Sequence, residues 1–163
     1  MGSEEPMTEN RHLFDETRLL RRVVFSVPGQ PVAKGRPKFA RQGGFVRTYT
    51  PEKTVNYETL VKLAAGEAMA GAAPIDGPVE LWLDIELTIP ASWSKKKQAA
   101  AVAGKVAATK KPDADNVLKA VKDGMNGIVW NDDAQAVEYR ISKRYSLTPG
   151  VRVQVEQLPL EAA

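Results

Sequence analysis

The sequence predicts an α+β fold in a single domain, a mixed sheet with helices packed on it, and three observations carry that reading. Residues 79–89 alternate apolar with mostly polar side chains, the period of a half-buried strand. The segment after Asp115 sets Val117, Leu118, Val121 and Met125 at helical spacing. The elements run strand, helix, strand, helix, helix and then two strands, an order that packs helices on one sheet without the strict alternation of a doubly wound fold.

Residues 1–20 are polar, hold no sustained period, and are set aside as a tail, leaving 21–160 as the domain. Arg22–Val27 alternates around Val23, Phe25 and Val27 and stops at Pro28-Gly29, a first strand. Gln30–Thr48 is rich in proline, glycine and basic residues and is expected to be one long exposed loop. Thr50-Pro51 opens a helix as cap and first-turn proline, with Val55, Leu60, Leu63, Ala64 and Ala68 as its apolar positions. Gly71, Pro74, Gly77 and Pro78 end it before the long strand. Ser92–Lys105 reads as a basic helix capped by Ser92 or Ser94. Pro112 pushes Lys111 toward extended geometry, and the helix that follows, Asn116–Met125, ends at Gly124 and Gly127. Ala136–Tyr145 and Val151–Leu158 are expected to form a closing hairpin around Pro149-Gly150.

Composition narrows the chemistry. There is no cysteine, which excludes disulfides, thiolate metal sites and cysteine nucleophiles and fits a reducing, cytoplasmic location. A single histidine, His12 in the tail, rules out a serine–histidine triad and the multi-histidine sets that zinc and iron favour. The net charge of +3 is mild, but the basic residues cluster. Lys34, Arg36, Lys38, Arg41 and Arg47 share one segment, and Lys95, Lys96, Lys97, Lys105, Lys110 and Lys111 share another, as on a phosphate-tracking surface. No apolar run reaches the ~18 residues of a membrane span, so no membrane partner is expected.

The acids concentrate at the two ends of one helix: Asp113, Asp115 and Asn116 before it, Asp132 and Asp133 after it. If 113–115 is extended, Asp113 and Asp115 face one space. The helix rises about 15 Å and Asn126–Asp132 can span about 23 Å, so the chain is long enough to return Asp133 beside Asp115. Two carboxylates about 4 Å apart repel by roughly 4 kcal/mol at an effective dielectric of 20, so converging acids call for a cation. Oxygen-only ligands favour Mg²⁺ or Mn²⁺. The simpler alternative is that Asp113 or Asp115 caps the helix and that Asp115 and Lys119 form an (i, i+4) ion pair. It leaves Asp132-Asp133 at the head of a strand unexplained. A calcium loop fails, because the sixth position from Asp113 is Leu118 rather than glycine and the twelfth is Gly124 rather than glutamate.

Lys111-Pro-Asp-Ala-Asp-Asn-Val-Leu-Lys119, with Asn126-Gly127 and Asn131-Asp-Asp-Ala-Gln135, resembles the RusA family of phage-type Holliday junction resolvases. Gly29-Gln-Pro-Val-Ala-Lys-Gly-Arg-Pro-Lys38, Thr50-Pro-Glu-Lys53 and Ile89-Pro-Ala-Ser-Trp-Ser-Lys95 extend the resemblance across about Val23 to Val155. It implies a RusA-like fold and an Mg²⁺-dependent homodimeric endonuclease that nicks four-way DNA junctions symmetrically in a bacterial or phage-infected cell. It also implies 5′-phosphate and 3′-hydroxyl ends. By the same resemblance Asp113, Asp115 and Asp133 are the metal ligands, Lys119 is the catalytic lysine and Asp132 is a supporting acid. Lys34, Arg36, Lys38 and Arg41 would contact phosphates. A nuclease acting on flaps or forks and a non-catalytic DNA-binding protein are the alternatives.

Overall fold

The long alternating strand predicted from the sequence lies inside a four-stranded mixed sheet, in a computed structural model that describes residues 20–33, 38–42, 45–49 and 52–160. The tail up to residue 19, Lys34, Arg36 and Thr50-Pro51 lie outside the described residues. The strands are β1 (Arg22–Pro28), β2 (Lys38–Gln42), β3 (Phe45–Tyr49), β4 (Val79–Thr88), β5 (Ala136–Ser146) and β6 (Gly150–Gln157). The helices are α1 (Glu52–Met69), α2 (Lys95–Val102) and α3 (Ala114–Met125). A short 3₁₀ turn, Asp133–Gln135, leads into β5. No helix among the described residues is long and apolar enough to cross a membrane.

The sheet order is β1-β6-β4-β5, with β6 antiparallel to β1 and β4, and β5 parallel to β4. Val79, Leu81, Leu83, Ile85 and Leu87 form one buried row, joined in register by Val151, Val153 and Val155 of β6 and by Val23, Phe25 and Val27 of β1. The opposite face carries Arg22–Glu156, Arg140–Glu80 and Arg144–Asp84 ion pairs, and Arg140 stacks over Trp82. The described helices therefore cover one face, as alternation in β4 requires.

Two expectations about the strands are corrected. Residues 30–48 are not one loop, because β2 and β3 pair antiparallel from Lys38↔Tyr49 to Gln42↔Phe45, and Lys38, Arg41 and Arg47 fall on these strands. Gly43-Gly44 between runs holding Phe39, Phe45, Val46 and Tyr49 is a hairpin signal that the basic composition masked. Nor do β5 and β6 form a hairpin, since β4 lies between them. The crossover through α2 and α3 carries the chain to the far edge of β4, where β5 must run parallel to it.

Helix α1 turns a different stripe inward from the one its sequence suggests. Tyr57, Val61, Ala65 and Met69, four apart, are buried, whereas Leu60 and Leu63 are 50% and 62% exposed. The stripe is narrow because α1 lies directly on α3. A side chain at Gly124 would put its Cβ 2.6 Å from the Val61 Cβ and 3.1 Å from the Glu58 carbonyl oxygen, so Gly124 is a packing glycine and not the helix stop. Gly127, at φ +78°, follows the helix end. Gly124→Ala is therefore expected to destabilise the protein. Crowding a packed contact costs about 1–3 kcal/mol, more than the roughly 1 kcal/mol that alanine gains in helix propensity. The neighbouring atom is a backbone-anchored Cβ that cannot swing away, and an unchanged melting temperature would refute the close crossing.

Candidate active site

Helix α3 is built to leave its N-terminus open. Its buried face is Val117, Ala120, Val121, Gly124 and Met125, with Leu118 partly buried at the margin. Asp113 occupies the N-cap position with extended backbone, and its carboxylate makes no capping hydrogen bond. Asp115 lies in the first turn, and Lys119 follows one turn later on the same ridge. All three are exposed. Neither the capping role nor the Asp115–Lys119 ion pair accounts for them, because among the described residues none of the three side chains has a polar partner. Helix N-terminal charge favours these two carboxylates without consuming their oxygens.

The ridge runs beside the outer edge of β5. Lys122 continues it from Asp115 and Lys119, and its ammonium donates to the Tyr139 hydroxyl at 2.7 Å. At the upstream end the Lys143 ammonium donates to the carbonyls of Lys110 at 2.9 Å and Pro112 at 3.2 Å. Strand β5 thus passes the C-terminal half of α3 first and the Asp113 end last, as the reversed helix of a parallel crossover must.

Asp133 is held at the other end. Trp130 is fully buried, and its indole donates to the Asn126 side-chain oxygen at 2.7 Å, while the Gly127 amide donates to the Trp130 carbonyl at 2.8 Å. Gln135 fills all four of its hydrogen-bonding positions. Its oxygen accepts from the amides of Asn131 and Asp132, and its nitrogen donates to the carbonyls of Ile75 and Gly77 at 2.7 and 2.9 Å. The Asp132 carboxylate accepts from the Ala134 amide, completing a capping box. Asp132 is thus accounted for by the turn it starts, whereas the partly buried Asp133 carboxylate has no polar partner among the described residues.

Asp113, Asp115 and Lys119 fall at the cap and in the first turns of α3; the helix begins at Ala114 and not at Asn116, so only Asp113 keeps the extended backbone expected for 113–115, and the two acids share the helix end and not one side of a strand. Asp133 is not with them in the same chain. The Asp113 end lies beside Lys143 late in β5, whereas Asp133 precedes the start of β5 at Ala136, and no group of three acids able to hold a metal ion occurs among the described residues. The expected return of Asp133 to Asp115 fails because residues 126–135 are pinned to the 75–77 segment. Asp113 and Asp115 supply two hard-oxygen groups of the kind an Mg²⁺-type ion takes, and no third acid joins them among the described residues.

Around the Asp113 end the charge is positive. Lys95, Lys96, Lys105, Lys110 and Lys111 are exposed and pair with no acid among the described residues. Ser94 caps α2 by accepting from the Lys97 amide at 3.2 Å. Lys97 sits over the Trp93 ring, which meets Tyr145 edge-on. Arg22, Arg140 and Arg144 of the open sheet face are each paired with an acid, and these lysines are not. Lys143 was missed by sequence reasoning, although it interrupts the row Val137, Tyr139, Ile141, Tyr145 with a charge.

A one-sided α+β domain with paired carboxylates at a helix N-terminus amid unpaired lysines is the kind of site that handles phosphodiesters. The chain belongs to the RusA endodeoxyribonuclease family, matching it over residues 28–156. It is also similar to the uncharacterized protein YqaN of Bacillus subtilis (strain 168), 36% identical over 138 residues, which are 83% of this chain and 96% of that protein.

Proposed function

We propose that the protein is a Mg²⁺-dependent, homodimeric endonuclease that resolves four-way DNA junctions by paired symmetric nicks. The observation that carries this reading is the open pair Asp113 and Asp115 with Lys119 beside it, in the stretch matched to the family, with no partner among the described residues to explain any of them. A divalent ion held there would neutralise charge on the scissile phosphate and acidify the attacking water. Lys119 lies on the same ridge, where its ammonium would stabilise charge building on the phosphate oxygens. Lys95, Lys96, Lys105, Lys110 and Lys111 would hold the flanking phosphates and keep the DNA in register.

The separation of Asp133 from Asp115 supports a dimeric site. Both ends of α3 lie along β5, whose outer edge pairs with no strand among the described residues and which carries the exposed Val137, Tyr139 and Ile141. Open edges of this length recruit another strand. Antiparallel pairing of two β5 strands about a twofold axis reverses direction, so Asp133 of the partner subunit would approach the Asp113–Asp115 end. Two such composite sites answer the need for two cuts.

The test is cleavage of a synthetic four-way junction beside a matched duplex and a flap, with Mg²⁺ and then with chelator. Metal-dependent paired nicks in the junction, with 5′-phosphate and 3′-hydroxyl ends, are expected. Faster cutting of flaps than of junctions would overturn the junction assignment, and cutting in chelator would overturn the metal.

A further inference from the structure

Lys143 stands on the apolar row of β5, opposite Ile85 and between Ile141 and Tyr145. A lysine half-buried there gains from a compensating contact for its ammonium. The contact it makes is specific. Its Nζ donates at 2.9 Å to the Lys110 carbonyl and at 3.2 Å to the Pro112 carbonyl, bridging the two ends of the segment that delivers Asp113 to α3. The Pro112 carbonyl shares a rigid peptide plane with the nitrogen and Cα of Asp113. Fixing that oxygen therefore fixes where the Asp113 side chain starts. On its other side Asp113 is held by its own carbonyl, which accepts the first helical hydrogen bond from the Val117 amide at 3.1 Å. Together these two restraints orient an acid whose carboxylate makes no hydrogen bond among the described residues.

We infer that Lys143 is a positioning residue, a clamp from β5 that presets Asp113 for its cation, and this rests on the metal-site reading above. The clamp replaces the side-chain cap that most helices use to order an N-terminal aspartate, so the carboxylate oxygens stay available. Residues that orient metal ligands without touching the metal commonly change affinity by about 10–100-fold when removed. Charge on Lys143 is spent on backbone carbonyls and not on DNA, so junction binding without metal should not depend on it.

The experiment compares wild type with Lys143→Met, which keeps the aliphatic stem, and Lys143→Arg, which keeps the donors. Mn²⁺ binding by calorimetry without DNA, the Mg²⁺ dependence of junction nicking, and junction binding in chelator are measured together. Lys143→Met is expected to weaken Mn²⁺ binding and raise the half-saturating Mg²⁺ concentration about tenfold, with nicking largely recovered at high Mg²⁺ and junction binding unchanged. Lys143→Arg should restore most of the metal affinity. A Lys143→Met protein with wild-type metal affinity, or one whose main defect is junction binding in chelator, overturns the clamp. A wild type that neither binds Mn²⁺ nor cuts overturns the metal site and the clamp with it, which separates the two failures.

Discussion

Asp115→Asn is expected to lower junction cleavage at least about a thousandfold, a loss of roughly 4 kcal/mol in transition-state stabilisation. The side chain is exposed and has no polar partner among the described residues, so the fold does not need it. Its interaction with the helix N-terminus is worth under about 1 kcal/mol, and the melting temperature should move little. Removing one negative charge next to bound phosphate should leave junction affinity equal or tighter. Nicking rates in Mg²⁺, gel-shift affinity in chelator and thermal denaturation measure the three effects. Undiminished nicking by this variant would remove Asp115 from the catalytic site and leave it serving only the helix.

Co-expressed Asp115→Asn and Asp133→Asn chains, each inactive alone, are expected to recover nicking when mixed. A site made of Asp113 and Asp115 from one subunit and Asp133 from its partner behaves differently from one made within a chain. In the mixed dimer one site inherits both substitutions and the other inherits neither. Random pairing at equal amounts gives mixed dimers half the time, so roughly a quarter of wild-type sites return. Each mixed dimer holds a single intact site, so nicked junctions should accumulate in place of resolved duplexes. If the acids assembled within one chain, every site in the mixture would carry one lesion and no activity would return. The geometry behind this expectation is that Asp115 lies in the first turn of α3, while the segment holding Asp133 is pinned beyond its other end to residues 75–77.

Periodic signals were the legible part of the fold. Strand β4 and the buried row Val117, Val121, Met125 follow from alternation and helical spacing, because burial on one side of an element repeats with the element's own period. Pairing was not legible. Pro149-Gly150 marks a turn, yet which strands flank it in the sheet depends on where the α2–α3 crossover lands. The stripe of α1 was misassigned because Leu60 and Leu63 are the more hydrophobic residues, while the close approach of α3 at Gly124 selects the line through Val61 and Ala65.

The candidate site divides in the same way. Asp113, Asp115 and Lys119 are close in sequence, so local helix geometry alone gathers them, and the chain by itself determined that cluster and its kinship. What only the tertiary structure decided is that Asp132 is consumed by a capping box, that Asp133 is pinned at the far end of α3, and that Lys143 reaches back to the Pro112 carbonyl. Those relations join residues whose separation in space is set by strand order and by hydrogen bonds between distant segments, and no spacing along a single chain encodes such distances.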